Sequence, residues 1–475
     1  MARRAHGLLA WLVMTKLADP ILAQAIAEQA TAMTGNDADF DPLLERIGDA
    51  RFVLLGEATH GSHEFYRLRA ELTKRLIREK GFTAIATEAD WPDAYRIHRY
   101  VQGATGHGAR DRSAADALGD FQRFPQWMWR NTDILALVDW LRAHNDQVAG
   151  PHKVGFYGLD LYSLHASMAA VIGYLERRDP AAAQRARERY ACFEVHGAHE
   201  RGAQRYGRAV ALGLAPDCEH EVLQQLVEVL KQRDTQVRRD GLAAEDAQFE
   251  GEQNARLVAH AEEYYRAMYL GEESTWNLRD THMADTLDAI AAHLERRGGG
   301  AGKPAKIVVW AHNSHVGDSA AMAHRAERDE ITLGHLCRER HGDRPNDVML
   351  VGFTTYTGTV TAASDWGASA ERKQVRPALP GSFEALFHEV GVPSFLLLLG
   401  QLGEATAALH EPRLERAIGV LYLPESERYS HYFDVRLADQ LDAVIHVDET
   451  RALEPLERSS QWDRGELPET YPTGL

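Results

Sequence analysis

Cysteine is scarce in this 475-residue chain, and the scarcity restricts the kinds of site that the chain can carry. The three cysteines, Cys192, Cys218 and Cys337, are far apart in the sequence and form no CxxC pair. Such spacing excludes a structural zinc site built on cysteine and is typical of a protein from a reducing compartment. We therefore expect a cytoplasmic protein.

Long apolar runs and an excess of positive charge are also absent. No segment approaches the roughly 18 consecutive apolar residues of a membrane span, so we expect no membrane partner. The formal net charge is −17, and nucleic acids and anionic membranes repel an acidic protein. These features favour a small molecule as the partner and leave the oligomeric state open.

The first residues, MARRAHGLLAWLVM, weakly imitate a secretory signal peptide because two arginines precede a short apolar run. That run is only about seven residues long, at the lower end of the signal range, and Lys16, Asp19 and Pro20 follow it. We favour translation from Met14, with a secretory signal as the alternative. Residues 1–38 are interpreted as an N-terminal extension, 39–458 as one domain and 459–475 as a polar tail.

Short β-branched or aromatic segments alternate with helical patterns along most of the domain. The predicted strands are 51–56, 82–87, 153–159, 306–311, 347–354, 394–399, 418–423 and 443–447. Strand patterns are missing from about 180 to 280, and we predict a helical insertion at about 165–300. The alternation elsewhere indicates an α/β fold with a mainly parallel sheet flanked by helices.

Four of the predicted strands end in acidic or histidine side chains. They are VLLGEATHG with Glu57 and His60, TAIATEADW with Glu88 and Asp90, KVGFYGLD with Asp160, and KIVVWAHNSH with His312 and His315. Sheets of this class place their chemistry at the carboxyl ends of strands, where loops aim side chains into a shared crevice. We therefore predict one composite active site.

Arg69 occupies an unusual position for a charged residue. A helix over residues 64–80 has an apolar stripe that contains Arg69 and is formed by Phe65, Leu68, Leu72 and Leu76. A charge on a core-facing stripe is costly unless it is paired. We predict a buried Arg69 that pairs with Glu57 or Glu88; the alternative is a side chain that reaches the surface.

A neutral histidine held by a carboxylate can take a proton from water near pH 7. We hypothesise that His60 is this base and that Glu57 fixes its tautomer, with Arg69 and Glu88 holding the pair in position. His312 then stabilises the oxyanion or protonates the leaving group, and His315 supports or replaces it. In the alternative interpretation, His60 is an incidental residue of a helix-capping loop.

Other chemistries fit the sequence less well. Glu57, His60, His312 and His315 are potential zinc or manganese ligands, but no HExxH occurs, and we predict neither a metal nor a cofactor. No GxSxG elbow supports a serine nucleophile. A glycosidase pair of Glu57 and Glu88 would leave the histidines unexplained.

Further polar and aromatic residues near these motifs are assigned to substrate binding. They lie in or beside RFPQWMWRN, WNLRD, RYSHYF and the two acidic strand ends, and they are Asp90, Trp127, Asp160, Arg279 and His431.

Several segments taken together resemble the erythromycin esterase family. They are LLGEATHGSHEFYRLR, TEADWPDAYR, WMWRN, FYGLDLYSL, WNLRDTHM, VVWAHNSHVGD, RYSHYF and DAVIHVDETRALEPLE, and they fall within residues 39–458. The resemblance implies an α/β core and hydrolysis of the macrolide lactone ester by a histidine-activated water. It places the family's catalytic histidine on His60, its glutamates on Glu57 and Glu88, its arginine on Arg69 and its paired histidines on His312 and His315.

The WMWRN and GLDLYSL segments make the chain more similar to chromosomal members of the family than to dedicated macrolide-resistance enzymes. The resemblance therefore implies a hydrolase of carboxylic esters or lactones more strongly than it implies erythromycin as the substrate. A metal-dependent hydrolase and a non-catalytic protein that binds haem or another small ligand remain as alternatives.

Overall fold

The computed structural model describes residues 20–465, apart from 104–110, 149, 198–199, 232–241, 272–273, 298–303, 343, 345 and 402. Residues 1–19 of the predicted N-terminal extension, Met14 included, and the last ten residues of the predicted tail lie outside the described residues. The fold is α/β, as predicted, with a mostly parallel sheet of nine strands flanked by helices.

The strands alternate with helices along the chain. They are β1 (Thr31–Ala32), β2 (Phe52–Leu55), β3 (Ala84–Asp90), β4 (Gly155–Asp160), β5 (Ile307–Trp310), β6 (Val348–Ala362), β7 (Glu371–Val375), β8 (Ser394–Leu398), β9 (Arg413–Arg416), β10 (Tyr432–Val435) and β11 (Ala443–Thr450). The sheet order is β1-β8-β11-β6-β2-β5-β3-β4, and β7 pairs with β6. Strands β9 and β10 form a separate pair.

The strands that carry the predicted site are parallel neighbours. Strand β2 pairs with β5 and β6, and β3 pairs with β4 and β5, all in parallel. Alternate residues of β2 enter different core clusters, with Phe52 and Leu54 in one and Val53 and Leu55 in the other. Both faces of the sheet are thus covered, which explains the continuous apolar runs of its strands.

The longer helices lie between these strands or in the predicted insertion. In chain order the helices are α1 (20–29), α2 (Asp41–Ile47), α3 (His63–Lys80), α4 (Trp91–Val101), α5 (Ala114–Ala117), α6 (Thr132–Asp146), α7 (Leu164–Glu176), α8 (Pro180–Glu194), α9 (Glu200–Ala211), α10 (Glu219–Lys231), α11 (Leu242–Leu270), α12 (Thr275–Arg297), α13 (Asn313–Val316), α14 (Ala323–Ala326), α15 (Leu333–His341), α16 (Phe383–Glu389), α17 (Glu427–Ser430), α18 (Leu437–Gln440) and α19 (Ser460–Arg464). No helix among the described residues is both long and apolar enough to cross a membrane.

Helices α7 to α12 follow one another between β4 and β5, where the sequence predicts the helical insertion. A disulfide joins Cys192 of α8 to Cys218, the residue before α10. Cysteine spacing alone does not predict this disulfide. The sequence analysis expected a reducing compartment, in which the cysteines would remain free thiols. The link arises because α8 and α10 pack together and bring two cysteines 26 positions apart into contact.

One predicted strand is wrong. Residues 418–423 form isolated bridges instead, from Ile418 to Thr59 and from Leu421 to Ala363. This short apolar segment lies against the chain just after β2 and just after β6, and it does not join the sheet as a strand. The predicted polar tail also begins with the short helix α19, whose Trp462 is buried and donates to the Thr361 hydroxyl at 2.7 Å.

Candidate active site

His60 lies in the short loop between β2 and α3, and its ring lines a cleft of about 220 Å³. Its Nδ1 is 2.9 Å from Oε1 of Glu57, and the hydroxyl of Tyr66 donates to its carbonyl at 3.1 Å. A carboxylate accepts from Nδ1–H, so this contact favours the tautomer that leaves a lone pair on Nε2. His60 is therefore arranged to accept a proton from a water in the cleft.

Arg69 supports the other side of Glu57. Its side chain is only 1 % exposed, and its guanidinium forms an ion pair with Oε2 of Glu57. It also lies 4.5 Å from the ring centre of Tyr66 and 4.6 Å from that of Trp310. The buried arginine predicted from the helical stripe thus engages the carboxylate oxygen that His60 does not use.

Glu88 has different partners from those expected. Oε1 pairs with Arg279 at 2.7 Å and Oε2 accepts from the backbone N–H of His312 at 2.9 Å. Burial by itself raises the pKa of Glu88. The charges of His315, Arg279 and His60 lower it by more, so the pKa is held well below its ordinary value. Instead of holding the His60–Glu57 pair by direct contact, Glu88 is a buried anion that anchors Arg279 and the His312 backbone.

His312 lies beside His60, with 4.8 Å between the ring centres. Its Nδ1 accepts from the backbone N–H of Ser314 at 3.2 Å, which caps α13 and leaves the proton on Nε2. Burial lowers the pKa of His312 well below its ordinary value, and neighbouring His60 lowers it further. The buried Nε2 makes no well-formed hydrogen bond to a described residue, although the Ala58 carbonyl lies near the ring. His312 is thus a neutral hydrogen-bond donor next to His60.

Both nitrogens of His315 are occupied. Nδ1 lies 2.7 Å from Asp280, Nε2 lies 3.0 Å from Nη1 of Arg279, and the ring stacks on Trp276. His315 consequently positions Arg279 and has no nitrogen left to replace His312. Asp280, which is fully buried, was not predicted as a site residue. Its place on the buried stripe of α12 with Met283 and Leu287 is the signal that could have found it.

Three of the five residues assigned to substrate binding line the cleft with His60. Asp160 accepts from Arg279 at 2.6 and 3.0 Å, and Asp90 accepts from Arg123, which the sequence analysis missed, at 2.5 Å. Arg123 also lines the cleft, and its place in the RFPQWMWRN segment is the signal that could have found it.

The described cleft wall includes neither Trp127 nor His431. Trp127 enters the hydrophobic core from the short turn Gln126–Met128, whereas its neighbours Met128 and Trp129 reach the cleft. His431 accepts from the backbone N–H of Leu423 at 3.1 Å and packs on Tyr422. Local sequence around aromatic and histidine residues does not show which of them faces a cleft.

Two of the four potential metal ligands, Glu57 and His315, are fully engaged by other partners. Glu57 uses one oxygen for His60 and the other for Arg69, and both nitrogens of His315 are engaged. In the part of the chain that the structure describes, no group of three or more His, Cys, Asp or Glu side chains has a geometry suited to a metal ion.

The chain is similar to several known proteins over most of its length. It is 24% identical over 400 residues to an erythromycin esterase type II from Escherichia coli, covering 78% of this chain and 85% of that protein. It is 20% identical over 449 residues to a putative hydrolase, YbfO, from Bacillus subtilis strain 168, with 89% of each chain covered.

Three solved structures share the fold. A succinoglycan biosynthesis protein has a TM-score of 0.69 at 22% identity, with 91% of this chain and 97% of the other covered. A Bacillus cereus protein has a TM-score of 0.71 at 19% identity, with 92% and 98% covered. An erythromycin esterase mutant in its open conformation has a TM-score of 0.62 at 17% identity, with 89% and 96% covered.

A family model for erythromycin esterase matches residues 77–450. Glu57, His60 and Arg69 precede the matched residues, so their roles depend on the geometry described above. The match spans well over half of the chain and supports a hydrolase activity. The chain belongs to the erythromycin esterase family.

Proposed function

We propose that the chain hydrolyses carboxylic esters, lactones included, with a water molecule that His60 activates. The observation that carries this proposal is the contact of 2.9 Å between Nδ1 of His60 and Glu57, because it leaves the Nε2 lone pair for a proton from water. The ring lines the cleft, where such a water and an ester carbonyl have room to meet.

The groups around His60 can stabilise the charges that form during the reaction. When His60 gains a proton, the carboxylate of Glu57 stabilises the imidazolium, as a buried carboxylate does for the histidine of a catalytic triad. The neutral His312 presents an N–H beside His60 for the oxyanion of the tetrahedral intermediate. Arg279 is held by Glu88, Asp160 and His315, and its place in the wall suits it to orient a polar substrate group.

The size of the cleft guides the choice of substrates. Its volume of about 220 Å³ is below the roughly 300–1,000 Å³ of sites for drug-sized ligands. The panel of substrates therefore includes esters of short acids and small lactones beside erythromycin, the ester that a relative's name identifies.

The test compares the wild type with His60→Ala on this panel. We expect the variant to lose activity by on the order of 10² to 10⁴, the usual contribution of a general base, with a melting temperature close to that of the wild type. His63→Ala is the matched control, because His63 also holds a carboxylate through Nδ1, Asp133 at 2.8 Å, but lies outside the described cleft wall.

Wild-type rates in His60→Ala would contradict the proposal. Activity that chelation abolishes and that zinc or manganese restores would instead support the metal-dependent alternative.

A further inference from the structure

The described cleft wall carries four carboxyl groups but only two guanidinium groups. Glu88 and Asp160 share Arg279, and Asp90 pairs with Arg123. The fourth carboxyl belongs to Asp93, in the first turn of α4. No described residue forms an ion pair or a hydrogen bond with it. Asp93 therefore differs from the other three acids of the cleft.

The surroundings of Asp93 favour its neutral form. Burial raises its pKa, and the carboxylates of Asp90 and Asp120 raise it further, to about 8. Arg123 and Arg96 oppose this effect. However, Arg123 is already paired with Asp90, and Arg96 is paired with Asp111 and Asp120. The start of a helix also favours a charged carboxylate, yet it does not outweigh burial and two like charges. Near pH 7 the cleft thus contains a carboxylic acid that holds its proton.

Ester hydrolysis needs such a proton. When the tetrahedral intermediate collapses, an alkoxide leaves slowly unless its oxygen is protonated as the C–O bond breaks. His312 and His315 are poorly suited to supply the proton. His312 is neutral because it is buried, and His315 is held between Asp280 and Arg279. Asp93 is the acid of the cleft wall whose carboxyl is left unpaired by the described arginines.

We propose that Asp93 is a further catalytic residue, the proton donor to the leaving oxygen; this inference rests on the proposed ester hydrolysis. His60 takes one proton from water, and the water oxygen forms a bond to the acyl carbon. The bond from that carbon to the leaving oxygen then breaks, and this oxygen takes the proton of Asp93. The proton on His60 passes through water to Asp93, so one ester and one water give one carboxylic acid and one alcohol.

The inference defines a substrate class. Alkyl esters and lactones have alkoxide leaving groups, which depend on an acid, whereas a p-nitrophenolate ion leaves without one. An enzyme with a separate proton donor is suited to the first class. Loss of the Asp93 carboxyl should therefore slow the hydrolysis of alkyl esters and lactones and have little effect on the hydrolysis of activated aryl esters.

The experiment measures kcat/KM of Asp93→Asn for ethyl butyrate and for p-nitrophenyl butyrate, which share the acyl group. We expect a loss on the order of 10² to 10⁴ for the ethyl ester, with the p-nitrophenyl ester within a few-fold of the wild type. Asp139→Asn is the matched control, because Asp139 is exposed on α6 and outside the described cleft wall. Asp93→Glu keeps a carboxylic acid and should restore part of the ethyl ester activity.

The pH profile gives a second readout. Hydrolysis of the ethyl ester by the wild type should fall as the pH rises through the pKa of Asp93, and hydrolysis of the p-nitrophenyl ester should not show this fall. Equal losses on both esters in Asp93→Asn would assign Asp93 a structural role and overturn the inference. Full activity on the ethyl ester would overturn it too, with His60 itself returning the proton. A wild type that hydrolyses neither ester would overturn the proposed function and this inference with it.

Discussion

Glu57 divides its two carboxylate oxygens between a histidine and an arginine. Oε1 lies 2.9 Å from Nδ1 of His60, and Oε2 pairs with the buried Arg69. The arginine fixes the carboxylate, and the carboxylate fixes the ring and its tautomer. At the scale of single residues, the position and tautomer of His60 thus depend on a neighbour three positions away and on a charge held in the hydrophobic core.

Glu57→Gln tests this division. The amide cannot act as acceptor toward both His60 and Arg69, so the tautomer of His60 is no longer fixed and its protonated form is no longer neutralised. We expect kcat to fall by on the order of 10² to 10⁴ with little change in KM, by analogy with the carboxylate of a catalytic triad. Steady-state kinetics measure this effect, with Glu71→Gln, which removes a half-exposed partner of Arg67, as the control. A kcat equal to that of the wild type would refute the role of Glu57.

At the scale of elements, the loop from β2 to α3 is pressed against β6. The carbonyl of Gly61 accepts from the backbone N–H groups of Thr361 at 3.0 Å and Leu453 at 2.8 Å. A Cβ on Gly61 would collide with the carbonyl oxygen of Thr361 and would lie 2.7 Å from its carbonyl carbon. Glycine is required here for close approach of two backbones, and this approach places His60 at the cleft.

Gly61→Ala should therefore displace the loop that carries His60. Because the colliding atoms belong to the backbone, we expect a loss of about 1–3 kcal/mol in the free energy of unfolding, as for other overpacked sites, together with reduced kcat. Thermal denaturation and kinetics measure the two effects. Gly419→Ala is the control, since a Cβ at Gly419 meets no atom within 4 Å. Wild-type stability and activity in Gly61→Ala would show that the loop is not held by this contact.

At the scale of the whole molecule, Arg279 connects the helical insertion to the sheet. It extends from α12 to Glu88 of β3 and Asp160 of β4, and it also contacts His315 after β5. These contacts place one arginine at the meeting point of three parallel strands. The cleft is thus formed jointly by the sheet and the insertion.

The stability of this connection should depend on pH. The pKa of Glu88 in the folded chain lies well below its ordinary value of 4.5, so Glu88 stabilises the fold above about pH 4.5 and loses this contribution as the pH falls further. We expect Glu88→Gln to lower stability at pH 7 by about 1–3 kcal/mol, the cost of an unsatisfied buried group. Its melting temperature should then decrease less than that of the wild type between pH 5 and pH 3. Glu194→Gln, which changes an exposed side chain, is the control. If the melting temperatures of Glu88→Gln and the wild type fell in parallel with pH, the proposed contribution of Glu88 would be contradicted.

Much of the fold could be predicted from local patterns. Strands β2 to β5 and the stripe of α3 follow from apolar runs and helical spacing, which depend only on neighbouring residues. The short strands β1, β7, β9 and β10 and the bridges of residues 418–423 could not be found in this way, because pairing partners decide them. The same limit applies to the disulfide of Cys192 and Cys218, which depends on how two helices pack.

Local patterns are enough to predict the α/β class and to place Glu57, His60, Glu88, His312 and His315 at strand ends, because periodicity and strand ends are local properties. The choice of Glu57 as the partner of Arg69, the pairing of Arg279 with Glu88 and the burial of Trp127 in the core depend instead on packing between distant segments. The raised pKa of Asp93 depends in the same way on burial and on the carboxylates of Asp90 and Asp120. Burial and electrostatic surroundings are sums over groups that are distant in sequence, so no local pattern contains them.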